Sequence, residues 1–285
     1  MQYYYPIIFA VIMFGVQFFC NDKYQSLCGS CVPSVMRFIA GSSFVGAIIL
    51  FANNKFTLSA TPFTLIMALV TAVNAMIMIY CSTMALGRTN LSIYSLFSML
   101  GGMTLPFIAG LVFFGEAMTI GKGICLVTVF LAMLMTVERG RGLSGGGKYC
   151  LGIFIFNGMS GVISTVYENS GFNKTPVGDY SVWSAVITVL LALLILLFLK
   201  GDKKVKISAP AYGLMAAYGA LNKVGNFLLL VSLMHIDATV QYPMVTAGVM
   251  RVSTLLSYFT PKKPGFREYA ALALSLLGIV MLIIL

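Results

Sequence analysis

The chain has 285 residues, of which 59% are hydrophobic and only 9% are charged. A soluble domain carries about 25% charged residues, so a water-soluble globular enzyme built around one large core is excluded. The mean hydropathy of +0.96 indicates a polytopic membrane protein, whose unit is a stretch of ~20 apolar residues.

Ten such stretches follow one another along the chain, separated by short segments of polar, charged, glycine and proline residues. They are continuous apolar runs without the alternating pattern of barrel strands, and inside lipid a helix satisfies its own backbone hydrogen bonds. The sequence therefore predicts an all-α membrane protein with ten transmembrane helices and no separate soluble domain. The predicted spans are residues 3–20, 32–52, 61–86, 90–114, 120–137, 148–167, 179–199, 209–233, 237–259 and 266–285.

The pattern of the spans indicates an internal duplication. Residues 84–102 align with residues 231–249 at a constant offset of 147, with few identities but the same order of helix, polar turn and helix. The two halves, residues 1–140 and 141–285, each hold five spans and together form one transmembrane domain. Because five is odd, the halves have opposite orientations in the membrane, and inverted repeats of this kind typify secondary transporters. The identical pairs are Leu86 with Leu233 and Gly101 with Gly248.

Short motifs in the first half carry a resemblance to a known family. "MRFIAG" with Arg37, "CSTMALGRTNLS", and "LPFIAGLVFFGEAMT" with Pro106, Gly115 and Glu116 are similar to the EamA-like branch of the drug/metabolite transporter superfamily. The resemblance implies two five-helix repeats and secondary transport. The second half departs from the family pattern, because "YFTPKKPGF" has two lysines where glycine and glutamate are expected.

Two cations lie deep in the predicted spans. Lys223 and Arg251 each lie about fourteen residues into their spans, where a charge costs roughly 2.5–3.5 kcal/mol. We therefore expect both to face a wet cavity and to bind one anionic group of a substrate, since a guanidinium and an ammonium suit carboxylate or phosphate. Helical spacing places four further polar residues on the same two stripes: Tyr212, Asn226, Gln241 and Tyr258. The alternative is that the cations pair with backbone carbonyls, Glu168 or Asp179 and only hold helices together.

Other spans supply further candidates for substrate binding, although small polar stripes in membrane helices also serve as packing seams. They are Gln17, Asn74, Tyr94, Ser98, Asn157 and Ser164. Glu168, at the end of the sixth span, is predicted as a proton-linked group or as a counter-ion for Lys223. All eight acids lie at or near span ends, which disfavours cationic drugs as substrates. The small multidrug resistance relatives carry a glutamate in the middle of their first helix, whereas the first span here offers only Gln17.

No cofactor or metal site is predicted. The single histidine and the Cys28–Cys31 pair do not supply the four ligands of a structural zinc site, and no nucleotide-binding loop is present. The net charge of +10 comes from cations at membrane boundaries, which favours contact with lipid headgroups over nucleic acid. Expected partners are a small-molecule substrate and membrane lipids, with a homodimer left open.

The loop charges predict the orientation. Three cations lie in loops on the side of the termini and twelve on the opposite side, so the positive-inside rule places both termini outside the cytoplasm. The resemblance implies the reverse, because family members more often have cytoplasmic termini. The expected location is a bacterial plasma membrane, with several spans.

The sequence thus favours a secondary active transporter of a small anionic or zwitterionic metabolite, such as an amino acid, a carboxylate or a sugar phosphate. The alternatives are a membrane-embedded scaffold or enzyme, or an exporter of neutral or cationic compounds from the same superfamily.

Overall fold

The computed structural model describes residues 4–29, 31–88, 91–115, 117–136, 146–199, 207–257 and separate positions between 266 and 281. Within these residues the chain forms nine long helices and no strand, which confirms the predicted all-α class. The helices are α1 (Tyr5–Cys28), α2 (Val32–Asn53), α3 (Pro62–Leu86), α4 (Leu91–Phe113), α5 (Ile120–Thr136), α6 (Gly147–Asn169), α7 (Val177–Phe198), α8 (Ala209–Leu233) and α9 (Ala238–Ser257). The positions described between 266 and 281 are helical as well.

Six of the nine helices, α1, α2, α3, α6, α7 and α8, are long and apolar enough to cross a membrane. This agrees with the prediction of an integral membrane protein. Helices α1, α2, α3 and α8 have proline in their first turn, where its missing N–H costs nothing. Proline also lies inside α4 (Pro106) and α9 (Pro243).

One predicted boundary is wrong. The polar segment after residue 20 was expected to end the first span, but α1 continues through it to Cys28. Asn21 is 1% exposed and Tyr24 is fully buried, because these side chains pack inside the bundle rather than in a loop. The helix ends at Gly29, whose positive φ of 71° suits glycine.

Consecutive helices run in opposite directions, so the bundle has two ends. We call the end with the α1–α2 turn the α1–α2 face, and the opposite end the α2–α3 face. Helix α1 packs mainly against α8 and α9, α6 packs against α3 and α4, and α2 packs against α7 and α8.

A very close helix crossing lies between α4 and α6. A Cβ at Gly101 would overlap the main chain of Phe154, and one at Gly158 would meet the Gly101 carbonyl and Leu105. A similar crossing lies between α9 and α1, where Gly248 meets Val11 and Gly15 meets Val252. Small residues let membrane helices approach this closely.

Two buried tyrosines fasten two of the interhelical turns. The Tyr24 hydroxyl donates to the Ser34 carbonyl (3.1 Å) across the α1–α2 turn, and the Tyr167 hydroxyl donates to the Thr175 carbonyl (2.6 Å) across the α6–α7 turn. Both side chains are fully buried. Each bond therefore satisfies a polar group that would otherwise be stranded in the interior.

Gly101→Ala tests the α4–α6 crossing. Because the added Cβ meets backbone rather than a flexible side chain, we expect the free energy of unfolding to fall by about 1–3 kcal/mol. The measurement is the thermal unfolding of the purified protein in detergent, followed by circular dichroism. Gly213→Ala is the matched control, since nothing lies within 4 Å of that position in α8, and it should leave stability unchanged or slightly higher. Equal effects of the two substitutions would contradict the close crossing.

Candidate functional site

A cavity of about 180 Å³ lies among α1, α3, α4, α6, α7, α8 and α9. Hydroxyl and amide groups line it together with aromatic rings, and Lys223 is the single charged side chain among the described residues of its wall. Seven residues predicted from the sequence line this cavity: Gln17, Tyr94, Ser98, Asn157, Ser164, Lys223 and Asn226.

Further polar residues of the wall were not predicted. Their signals in the sequence were weak, because single hydroxyl residues in apolar spans are common and the helix face that points inward depends on packing. In α7 the group Tyr180, Ser181 and Ser184 follows helical spacing and could have been recognised. The unpredicted polar residues of the wall are Thr71, Ser82, Tyr180, Ser181, Ser184, Tyr218, Asn222, Tyr242 and Thr246.

Lys223 projects from the middle of α8. Its aliphatic stem packs against Gly46 of α2, where any side chain at position 46 would overlap the lysine Cβ and Cγ. Among the residues that the structure describes, no carboxylate oxygen lies within 4.0 Å of its Nζ. The ammonium therefore lies at the cavity without a counter-ion from the described part of the chain, a costly arrangement inside a membrane.

The acids proposed as partners for the deep cations are engaged elsewhere. Glu168 forms an ion pair with Lys174 (3.6 Å), whose Nζ also donates to the carbonyls of Tyr167 and Glu168. The Asp179 carboxylate accepts hydrogen bonds from the Asn54 amide and from the backbone N–H (3.2 Å) and hydroxyl of Ser59. Neither acid lies in the described cavity wall, so neither neutralises Lys223.

Two asparagines fasten α6 at the cavity. Asn157 Nδ2 donates to the Ser98 carbonyl (2.6 Å) and hydroxyl (3.1 Å) on α4. Asn74 Nδ2 donates to the Phe156 carbonyl (2.9 Å) and the Ser160 hydroxyl (2.8 Å) on α6. Asn157 lines the cavity, whereas Asn74 lies behind the wall and joins α3 to α6. These bonds hold the polar side chains of α6, Asn157, Ser160 and Ser164, toward the cavity.

Gln17 contributes an acceptor with no partner. Its side chain is 6% exposed, it lines the cavity, and its Oε1 accepts no hydrogen bond from the described residues. Leaving a buried acceptor unsatisfied costs about 1–3 kcal/mol. A ligand in the cavity that donates a hydrogen bond would remove this cost.

Besides Asn74, four predicted site residues lie away from the described cavity wall or outside the described residues. Arg251 does not line the cavity, and its Nε and Nη2 are buried without a hydrogen-bond partner among the described residues. Gln241 is fully buried and donates to the Leu229 carbonyl (2.9 Å). Tyr212 is 60% exposed and lines a surface groove. Tyr258 lies outside the described residues.

The described residues hold no cluster of three or more His, Cys, Asp or Glu side chains that could bind a metal ion. All six cysteines are free thiols, and Cys31 is exposed in the α1–α2 turn.

Comparison with known proteins identifies the fold alone. No family model matches the chain, and no curated protein matches it. A solved structure described only as "Crystal structure of protein" superposes with a TM-score of 0.78 and 14% sequence identity. The match covers 98% of this chain and 96% of that chain, so the two share a fold over nearly their whole length.

Lys223→Met tests whether the ammonium lacks a permanent partner. Methionine fills the space of the stem without a charge, so we expect the free energy of unfolding without ligand to rise by roughly 1 kcal/mol or more. The midpoint of thermal unfolding measures this change.

Lys122→Met is the matched control. Lys122 is buried, and its Nζ donates to the Ala117 carbonyl (2.9 Å) and pairs with Asp237 (3.4 Å). Its loss should lower stability. A comparable loss from Lys223→Met would mean that Lys223 has a permanent partner in the folded protein.

Proposed function

We propose that the protein is a secondary active transporter built from two inverted five-helix repeats, a member of the EamA-like branch of the drug/metabolite transporter superfamily. Support for the repeat comes from the cavity wall. Six pairs of residues that line it are 147 positions apart in the sequence. The pairs are Thr71 and Tyr218, Ala75 and Asn222, Ile79 and Asn226, Ser82 and Leu229, Ser98 and Val245, and Gly102 and Val249.

The helix crossings support the same repeat. The contact of Gly101 with Phe154 corresponds to that of Gly248 with Val11, because α4 corresponds to α9 and α6 to α1. In the same way the Tyr24–Ser34 hydrogen bond corresponds to the Tyr167–Thr175 bond. These turns lie at opposite faces of the bundle, as an inverted pair of repeats requires.

Alternating access in this bundle would open and close the two faces in turn. At the α1–α2 face, Tyr24, Phe38 and Tyr218 pack into one apolar cluster, with ring centroids 4.4 and 4.7 Å apart. The cavity extends toward the other face, where Tyr180 in the first turn of α7 and the exposed Asn226 line it. This arrangement suits a state that is closed at the α1–α2 face.

The proposed substrate class rests on the environment of Lys223. A partly buried ammonium at the cavity, without a counter-ion in the described residues, is best explained by a substrate that brings the negative charge. The unpartnered Gln17 Oε1 in the same wall suits a hydrogen-bond donor of that substrate, such as an ammonium or hydroxyl group. The cargo that we propose is a small anionic or zwitterionic metabolite, and amino acids and hydroxy acids fit both groups.

The described cavity wall carries no carboxylate, so it offers no electrostatic support for an organic cation. It also lacks the grouped acids and histidines of an integral membrane enzyme. The groups of the wall therefore fit an anionic substrate better than an organic cation or the reaction of a membrane enzyme. By the loop charges, the α1–α2 face would lie in the cytoplasm of a bacterial cell.

The test combines ligand screening with transport. Thermal unfolding of the purified protein is measured with amino acids, mono- and dicarboxylates, and sugar phosphates, because a ligand that binds the folded state alone raises its stability. A stabilising compound is then used as the labelled substrate in proteoliposomes. We expect Lys223→Met to lower its uptake rate at least about tenfold, equivalent to ~1.4 kcal/mol.

Arg251→Met is the comparison variant, since Arg251 is a deep cation away from the described cavity wall. It should retain more uptake than Lys223→Met. Undiminished uptake by Lys223→Met would refute the anion site, and uptake of a stabilising cation in its place would favour an exporter of cationic compounds.

A further inference from the structure

A second concave site lies on the membrane-facing surface of the bundle. It is a groove of about 390 Å³ between α2, the end of α7 and the start of α8. Arg37 is the one charged residue among the described residues that line it. The other lining residues are Ala40, Gly41, Phe44, Val45, Leu193, Leu196, Ile207, Tyr212, Met215 and Ala216.

The polar and apolar parts of this groove are separated by depth. Arg37 lies five residues into α2, about 8 Å from the helix start at 1.5 Å per residue. Tyr212 lies in the first turn of α8, at the same end of the bundle. An arginine and a tyrosine at this depth are suited to the headgroup region of a bilayer. Phe44 and Val45 lie farther along α2, toward the middle of the membrane.

The sequence that connects α7 to α8 carries a net positive charge. The seven residues that connect α7 to Ile207, GDKKVK with the preceding Lys200, contain four lysines and one aspartate. This connection joins two of the three helix ends that form the groove. Arg37 beside an apolar lining is complementary to an anionic headgroup above an acyl chain.

We propose that this groove binds one anionic phospholipid, with its phosphate at Arg37 and one acyl chain along α2, α7 and α8. The site is separate from the central cavity and does not depend on the proposed transport function. Met215 lines the groove and also belongs to the apolar cluster with Tyr24, Phe38 and Tyr218. A bound lipid therefore adds to the packing that closes the α1–α2 face.

The experiment uses the full-length protein in nanodiscs of phosphatidylcholine, with and without phosphatidylglycerol. We expect phosphatidylglycerol to raise the midpoint of thermal unfolding by at least about 3 °C. Arg37→Gln should remove most of this increase, whereas Arg37→Lys should keep part of it. Ala216→Trp, which fills the groove and keeps the charge, should also remove it.

Lys148→Gln is the control for general surface charge, because Lys148 is exposed at the same face but is not part of the groove. It should keep the full increase. If it loses as much as Arg37→Gln, or if both Arg37→Gln and Ala216→Trp keep the full increase, the lipid site is refuted. Ala216→Trp decides alone if Arg37→Gln does not fold.

Soluble glycerol phosphate separates a lipid from a free phosphate as the ligand. We expect no stabilisation by glycerol phosphate, since the acyl chain supplies the contact with the apolar part of the groove. An increase equal to that with phosphatidylglycerol would identify a phosphate site instead and overturn the proposal.

Discussion

The close approach of the helices is the constraint on which the architecture depends. Lipid is as apolar as the side chains it surrounds, so helices in a membrane associate through packing and interhelical hydrogen bonds rather than through burial from water. At the α4–α6 crossing, Gly101 lies directly on the main chain of Phe154. The Asn157 amide bonds to Ser98 beside this crossing, so the same contact that joins the helices also sets one wall of the cavity.

In the proposed repeat, the two halves share their packing but differ in charge. Met76 is the residue 147 positions before Lys223, and it is buried in the apolar cluster of the α1–α2 face. Thr104 stands in the same relation to Arg251. If Met76 and Lys223 are equivalent in the proposed repeat, helix packing at this position does not require a cation. In the proposed transporter, such an asymmetry suits a substrate that has no symmetry of its own.

The cavity and the groove use cations differently. At the cavity, an ammonium is held in the middle of the membrane, and the described residues supply no counter-ion to it. At the groove, Arg37 lies near the start of α2, where an arginine head can reach the membrane boundary and the proposed lipid phosphate at little cost. Depth in the membrane decides the difference, because the free-energy penalty of a charge falls steeply toward the interface.

The sequence alone determined the helical class, the membrane setting and most helix positions, since continuous apolar runs between polar turns have few other solutions in lipid. It also identified Lys223, because a charge in such a run is conspicuous. The end of α1 was misjudged, since Asn21 and Tyr24 resemble a loop until their burial is known. Only the tertiary structure separated Lys223 from Arg251 and Asn157 from Asn74, and paired Glu168 with Lys174. Helical spacing shows which residues share a face, but the neighbour that each face meets is decided by long-range packing, and no local pattern encodes it.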